Sequence, residues 1–292
     1  MKTRIITSVV GLTLLAVVMA FFNTPVFEAA VALLAVIAVH EIYKAFDLGE
    51  PGRWIYGGLA VYTVLVMFSA QPVGKLLLVP VGFALVLYLA VCVVRFNQSL
   101  DVSRLGGTVA FSIMVWAAFF ALVYIKARLP QQQYGSEAVY LIIMALAFAW
   151  GGDTFAYFTG RFFGKHKLAP VVSPHKTVEG AIGGIIGSGL VGVLCTVVAR
   201  FLTAWVSVEN GVVTSAGYYA GGLFGYLPVF LLGMGCSVLG ILGDLFASAV
   251  KRQLGIKDYG TIFPGHGGIL DRFDSVLFIA PVVAITVWLR TM

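Results

Sequence analysis

A chain of 292 residues is long enough for one or two soluble domains, yet 60% of it is hydrophobic and only 11% charged, against roughly 45–50% and 25% in a soluble domain. That composition excludes an ordinary soluble fold and makes lipid the natural solvent. The net charge of +6 is scattered between apolar runs and forms no basic stripe with interleaved aromatics, which excludes a nucleic-acid partner. The three cysteines, Cys92, Cys195 and Cys236, lie in apolar stretches without metal or disulfide spacing.

A helix needs about 20 apolar residues to cross the hydrocarbon. Nine candidate spans follow in chain order, at 4–22, 26–43, 55–70, 75–94, 105–125, 138–160, 177–199, 217–250 and 270–289. The third is short. The eighth is long enough to tilt, to break at Pro228 or to continue as a helix beyond the bilayer. The first apolar run exceeds the 7–15 residues of a signal-peptide core, so an uncleaved first helix is expected. With the N-terminus inside, 14 of the 19 lysines and arginines fall in cytoplasmic loops, from Lys2 and Arg4 through Lys44, Arg53, Arg95 and Arg104 to Arg272. This asymmetry is what membrane topology demands of basic residues. The expected fold is an all-α polytopic integral membrane protein of about nine transmembrane helices with a cytoplasmic N-terminus. It forms a single membrane domain over 1–292, with scaffold spans in 1–137 and chemistry in 138–292.

The division follows the polar residues. Carboxylates of the first part, including Glu28, Glu41, Asp47, Glu50, Asp101 and Glu137, sit near loops or span ends. His40-Glu41 is the one pair there with functional potential, although a cytoplasmic helix end accommodates both without any role in chemistry. The second part gathers polar residues into two cytoplasmic clusters. One comprises Trp150–Tyr157, Gly160–Lys167 and Ser173–Gly180; the other runs from Gly243-Asp244 through Lys251-Arg252 and Lys257-Asp258 to Asp271 and Asp274.

Asp153 and Asp244 fall inside predicted spans, where a carboxylate costs roughly 2.5–3.5 kcal/mol or more near the bilayer centre unless it has a partner or a wet cavity. Ser237, Gly240, Asp244, Ser248 and Lys251 follow steps of three and four, which sets them on one helical stripe and outlines a polar cleft opening inward. Gly265-His266-Gly267-Gly268 precedes the ninth span, and its glycines let the backbone approach a ligand closely. Asp271 and Asp274 then stand three apart at the start of that span. Hard cations such as Mg²⁺ take one or two carboxylates and complete their shell with phosphate oxygens and water. Asp244 and Asp271 are the first candidates as ligands, with Asp153 and Asp274 in support or holding a second ion. Arg161, Lys165, Lys167, Lys176, Lys251, Arg252, Lys257 and Arg272 surround these acids in sequence, a combination suited to a nucleoside triphosphate or another polyphosphate. Gly180, Gly183, Gly184 and Gly187 make small-xxx-small pairs for close helix packing.

The stretch from Ser248 to Asp274, with Lys251-Arg252, Lys257-Asp258, Pro264, His266-Gly267-Gly268 and Asp271-Arg272-Phe273-Asp274, resembles the signature of the phosphatidate cytidylyltransferase (CDP-diacylglycerol synthase) family. Gly243-Asp244-Leu245, Asp153–Tyr157, Gly164–Lys167 and Ser173–Gly180 resemble further blocks of that family. Val178 stands where members often carry Trp. The specific similarity covers about 148–187 and 237–275, and the first part of the chain resembles the family only in hydrophobicity.

The resemblance implies transfer of the cytidylyl group of CTP to phosphatidic acid, giving CDP-diacylglycerol and pyrophosphate with Mg²⁺. It implies catalytic roles for Asp244, Lys251, Lys257, Asp258 and Asp271. It also implies substrate contacts from Ser173, Lys176, Thr177, Ser248, Arg252, His266, Gly267, Gly268 and Arg272. Lys257 and Asp258 belong on the nucleotide side, and His266 in the loop closing over phosphates. The expected home is a bacterial inner membrane, with the site facing the cytoplasm, membrane lipids around it and a homodimer as one admissible assembly. A CTP-dependent polyprenol kinase is the nearer alternative. An ion-coupled transporter is the more distant one, since the halves differ in polarity and the polar residues gather at one face.

Overall fold

A computed structural model describes residues 2–210, 225–263, 265 and 267–292. It is almost wholly helical: α1 (Lys2–Ala20), α2 (Val26–Phe46), α3 (Gly52–Phe68), α4 (Pro72–Arg95), α5 (Val102–Arg128), α6 (Gln131–Tyr134), α7 (Glu137–Phe163), α8 (Val178–Asn210), α9 (Tyr226–Gln253), α10 (Leu270–Phe273) and α11 (Val276–Thr291). Between α7 and α8 lies a small antiparallel hairpin, β1 (Lys167–Ala169) and β2 (Ser173–Thr177), pairing Lys167 with Thr177 and Ala169 with Ser173. The sequence reading expected only a loop there.

Among the described residues six helices are long and apolar enough to cross a membrane: α2, α4, α5, α7, the Val178–Leu202 part of α8, and α9. This makes the chain an all-α membrane protein. Three shorter apolar helices, Val9–Ala20, Gly52–Phe68 and Val276–Thr291, fall on the first, third and ninth expected spans. The expected eighth span begins at 217, outside the described residues. Its described part shows no break at Pro228, because α9 starts at Tyr226 and the proline occupies the first turn, where no intrahelical N–H is lost. The expected ninth span is not one helix, since Asp274 and Ser275 separate the single turn α10 from α11.

The chain divides into two compact units, Met1–Ala127 with Ala249–Leu277, and Arg128–Ser248 with Phe278–Met292. In the first, α2 packs on α3 through Ala35, Ala38, Ile42, Ile55 and Leu59, all wholly buried. Along α5 the buried Leu105, Thr108, Phe111, Ser112, Val115, Ala118, Phe119 and Leu122 recur at steps of three and four and form an inward stripe, which widens over the last turns to include Ala121, Val123 and Ile125. By contrast α4 buries only Gly74 and Cys92, which fits a helix apolar on every side and wrapped by lipid. Polar pairs close the gaps: Trp116 Nε1 donates to Thr63 Oγ1 at 2.7 Å, and Lys126 Nζ reaches Glu28 Oε2 at 2.6 Å.

In the second unit α7 and α8 make the most extensive helix pair. The expected glycine stripe explains it. A Cβ built on Gly184 would lie 2.9 Å from Ala156 Cβ and 3.0 Å from Gly152 O, and one on Gly180 would lie 2.8 Å from Ala156 O. Gly183 and Gly187 are closed off by Thr159 and Phe155. These glycines serve helix packing, and the close approach is fastened by Ser188 Oγ donating to Phe148 O at 3.1 Å and by Tyr140 and Thr196 hydroxyls at 2.7 Å. Glu137 at the start of α7 pairs with Arg290 of α11.

Replacing Gly184 by Leu is expected to overpack this seam and cost about 1–3 kcal/mol, read as a lower melting temperature and yield in detergent. Gly11→Leu is the control, because a Cβ on Gly11 meets nothing within 4 Å and leaves both readouts unchanged.

Candidate active site

Helix α9 carries the polar stripe read from the sequence. It contributes its residues through Ser248 to the second unit and those from Ala249 onward to the first. Its cytoplasm-expected end stops where the sequence turns to Leu254-Gly255-Ile256. Gly255 takes φ +70°, the N–H of Gly255 donates to Arg252 O at 3.2 Å and that of Ile256 to Lys251 O at 2.9 Å. This is a Schellman ending, which needs a residue tolerant of the left-handed region and fixes where the following loop departs.

Within the second unit, Asp244 stands three-quarters buried. Its Oδ2 pairs with Lys176 Nζ at 2.5 Å, and its Oδ1 accepts the hydroxyl of Ser248 at 3.3 Å. Lys176 is delivered by β2. The next residue, Thr177, uses Oγ1 to accept the N–H of Gly180 at 3.1 Å, the N-cap of α8. Glu179 in that first turn accepts the N–H groups of Lys165 at 3.1 Å and His166 at 3.2 Å, and meets His166 Nδ1 at 2.6 Å. The hairpin is therefore tied back to α8 beside the residue that supplies Lys176. Ser237, lower on the stripe, is buried and would lie 3.2 Å from a Cβ on Gly152. Ser173 holds its place in the hairpin register, and Asp153 is exposed on α7.

Within the first unit the arrangement is tighter. Lys251 Nζ and Asp271 Oδ1 meet at 2.8 Å, with only 11% and 2% of their side chains exposed. Asp271 Oδ2 accepts the N–H groups of Tyr259 at 2.8 Å and Gly268 at 2.9 Å. The Lys251 ammonium also lies 5.4 Å from the centre of the Tyr259 ring, a cation–π contact. Burial raises the pKa of the Tyr259 hydroxyl above its ordinary value, and the charges of Asp271 and Asp274 add to that effect, so it stays protonated across the physiological range.

Glu41, near the C-terminal end of α2, completes the cluster. Its Oε1 accepts the N–H of Ile269 and its Oε2 that of Leu270, each at 2.9 Å. Sequence reasoning had set the pair His40-Glu41 aside as a plain helix end. No local signal could have found it, since His40 and Lys44 beside it are what a wet helix end also carries.

Other residues singled out by the sequence fall on the surface. Arg252, Lys257, Asp258 and Arg272 are exposed, and Asp274 accepts the N–H of Ser275 at 2.8 Å. His266 lies outside the described residues. Gly265 and Gly267 take φ +78° and +83°, and a Cβ on Gly267 would lie 2.8 Å from Asp271 Oδ2. The close approach of the Gly267-Gly268 backbone is thus made to carboxylates of the chain itself.

Among the described residues no three of His, Cys, Asp and Glu gather as a ready metal cage. A magnesium-type site does not require one, since two or fewer carboxylates suffice with phosphate and water. Asp244 fits that description: it is a partly accessible hard oxygen donor whose Oδ2 already faces a cation, the Lys176 ammonium. Asp271 offers less, since Oδ2 receives two N–H groups and Oδ1 an ammonium.

Comparison with known proteins extends this picture along the whole chain. The model of the Cytidylyltransferase family matches residues 2–290. A phosphatidate cytidylyltransferase of Staphylococcus haemolyticus (strain JCSC1435) is 32% identical over 293 residues, 98% of this chain and 98% of that protein. Those of Staphylococcus saprophyticus and of Staphylococcus aureus (strain COL) are 40% and 41% identical over 151 residues, 51% of this chain and 50% of theirs. The similarity therefore includes the hydrophobic first part, beyond the two blocks in which the sequence alone had placed it. The chain belongs to the cytidylyltransferase family.

Proposed function

We propose that this protein is a phosphatidate cytidylyltransferase, converting CTP and phosphatidic acid into CDP-diacylglycerol and pyrophosphate. The observation that carries the reading is full-length similarity to a relative of that name, joined to two acid–lysine pairs that each have one member on α9, Asp244 with Lys176 and Lys251 with Asp271. A phosphate oxygen of the lipid forms a bond to the α-phosphorus of CTP. The bond from that phosphorus to the bridging oxygen breaks, and pyrophosphate leaves with the electron pair. A phosphate monoester is already largely ionised near neutral pH, so no strong general base is needed.

In this reading Asp244 would hold a divalent cation, Mg²⁺ by the hardness of its donors, with Asp271, Asp153 and Asp274 as the further candidate acids. When bound, the cation supplies charge neutralisation at the phosphates. Lys176, carried by β2 and paired with Asp244, is placed to reach a phosphate oxygen. Lys251 is held in place by Asp271, while the exposed Arg252, Lys257 and Arg272 receive the nucleotide phosphates. Asp258 faces the nucleotide, Ser173, Thr177, Ser248 and the Gly267-Gly268 backbone complete the substrate contacts, and His266 closes over the phosphates.

Nine membrane crossings with a cytoplasmic N-terminus fit the distribution of lysine and arginine. The shorter helices support that count, since the 17 residues of α3 rise about 25 Å, close to the roughly 30 Å of hydrocarbon. Both polar clusters then face the cytoplasm of a bacterium, where CTP is made.

Purified protein in detergent, given CTP, phosphatidic acid and Mg²⁺, is expected to release pyrophosphate and CDP-diacylglycerol in equal amounts. Asp244→Asn is expected to lower kcat by about 100-fold or more. Phosphorylated lipid with CDP as co-product would instead identify a kinase.

Two lysines separate support from contact. Lys251→Met leaves Asp271 buried without its cation and is expected to destabilise the fold by about 3–5 kcal/mol, measured by thermal unfolding. Exposed Lys257→Ala is expected to leave the melting temperature unchanged and raise the KM for CTP. Unchanged CTP affinity and turnover would remove Lys257 from the nucleotide site.

A further inference from the structure

We propose that Glu41, a carboxylate more than 200 residues upstream of the signature segment, is a positioning residue that sets the register of the loop carrying Asp271. Both of its oxygens are committed to that segment, to the N–H groups of Ile269 and Leu270. Asp271 takes the N–H of Gly268 through its own side chain. Three consecutive backbone donors, Gly268, Ile269 and Leu270, are thus consumed by two buried carboxylates, one from α2 and one from the loop itself. Glu41 is 4% exposed, and among the described residues no lysine, arginine or histidine lies within salt-bridge distance of it. Its fixed partners are therefore backbone, which is the pattern of a group that holds a chain in place.

The glycines of the segment point the same way. A Cβ on Gly260 would lie 2.7 Å from Cδ and 3.0 Å from Cγ of Glu41, and one on Gly268 would lie 2.5 Å from Cδ. Neither glycine has a positive φ, so conformational freedom does not explain them. Room for the Glu41 carboxylate does. From Glu41 the constraint passes through Ile269 and Leu270 to Asp271, and from Asp271 Oδ1 to the ammonium of Lys251. A displacement of the loop by one hydrogen bond would carry Lys251 and Asp271 out of alignment, and misplacement of about 1 Å can cost roughly 10²-fold in rate.

The test combines kinetics with a contact cycle, and its kinetic arm rests on the cytidylyl-transfer reading above. Glu41→Gln keeps the shape but turns one acceptor into an NH₂ that faces a backbone N–H. It is expected to purify as folded, helical protein with the wild-type KM for phosphatidic acid within about twofold and a kcat lowered at least about tenfold. Gly260→Ala is expected to lower kcat in the wild-type background and to add no further loss on Glu41→Ala, where the carboxylate that its Cβ would meet is gone.

A kcat for Glu41→Gln within twofold of wild type would overturn the proposal. So would losses of Gly260→Ala and Glu41→Ala that multiply independently, or activity that falls only in step with folded protein. Should the wild-type chain make no CDP-lipid, the reaction reading fails by itself. Tryptic cleavage after Lys257, expected to be faster in Glu41→Gln than in wild type, then decides whether Glu41 holds the loop; equal cleavage overturns the proposal.

Discussion

Burying a carboxylate is tolerable only where hydrogen-bond donors or a cation replace the water it loses, and the signature segment of this chain is organised by that requirement. Asp271 and Glu41 between them collect the N–H groups of Tyr259, Gly268, Ile269 and Leu270 and the ammonium of Lys251. A loop of some fifteen residues after α9 has few ladder hydrogen bonds of its own; among the described residues a single bridge joins Phe263 and Gly267. Its order comes from side chains aimed at its backbone. Rings complete the support, with Tyr259 6.0 Å from Phe111 and Phe273 5.4 Å from Phe119.

The same rule acts differently at Asp244. There a carboxylate of similar chemistry has side-chain partners: a lysine on a two-stranded hairpin and a serine hydroxyl one turn along its own helix. A carboxylate held by backbone N–H groups is suited to support, whereas one held by side chains can change partners without moving the main chain. The hairpin is anchored through Thr177 and Glu179 to the first turn of α8, and the glycine seam of α7 and α8 fixes where that turn lies. Packing thus carries directly into the placement of Lys176.

Much of this was legible in the sequence, because membrane helices announce themselves by length and hydropathy. The apolar runs gave the helices, the steps of three and four gave the stripe on α9, and the spacing of Gly180, Gly184 and Gly187 marked α8 for close packing without naming its partner. Less legible was anything requiring a partner distant along the chain. Nothing local to Glu41 distinguishes it from an acid at a wet helix end; its meaning lies in two N–H groups near residue 270. Asp271 suggested a metal ligand by composition, whereas its oxygens are directed to Lys251 and to backbone. The hairpin was missed because Lys167–Thr177 shows no clean alternation, and the break after Asp274 because the apolar run continues straight through it.

Hydrogen exchange on the wild-type protein in detergent tests the organising constraint most directly. Amides of Tyr259, Gly268, Ile269 and Leu270 are expected to be protected to a level near that of the buried stripe of α5, while exposed neighbours such as Lys257, Asp258 and Ile262 exchange rapidly. Uniformly rapid exchange from Lys257 to Leu270 would contradict the account, since it would mean that the two buried carboxylates do not hold the loop.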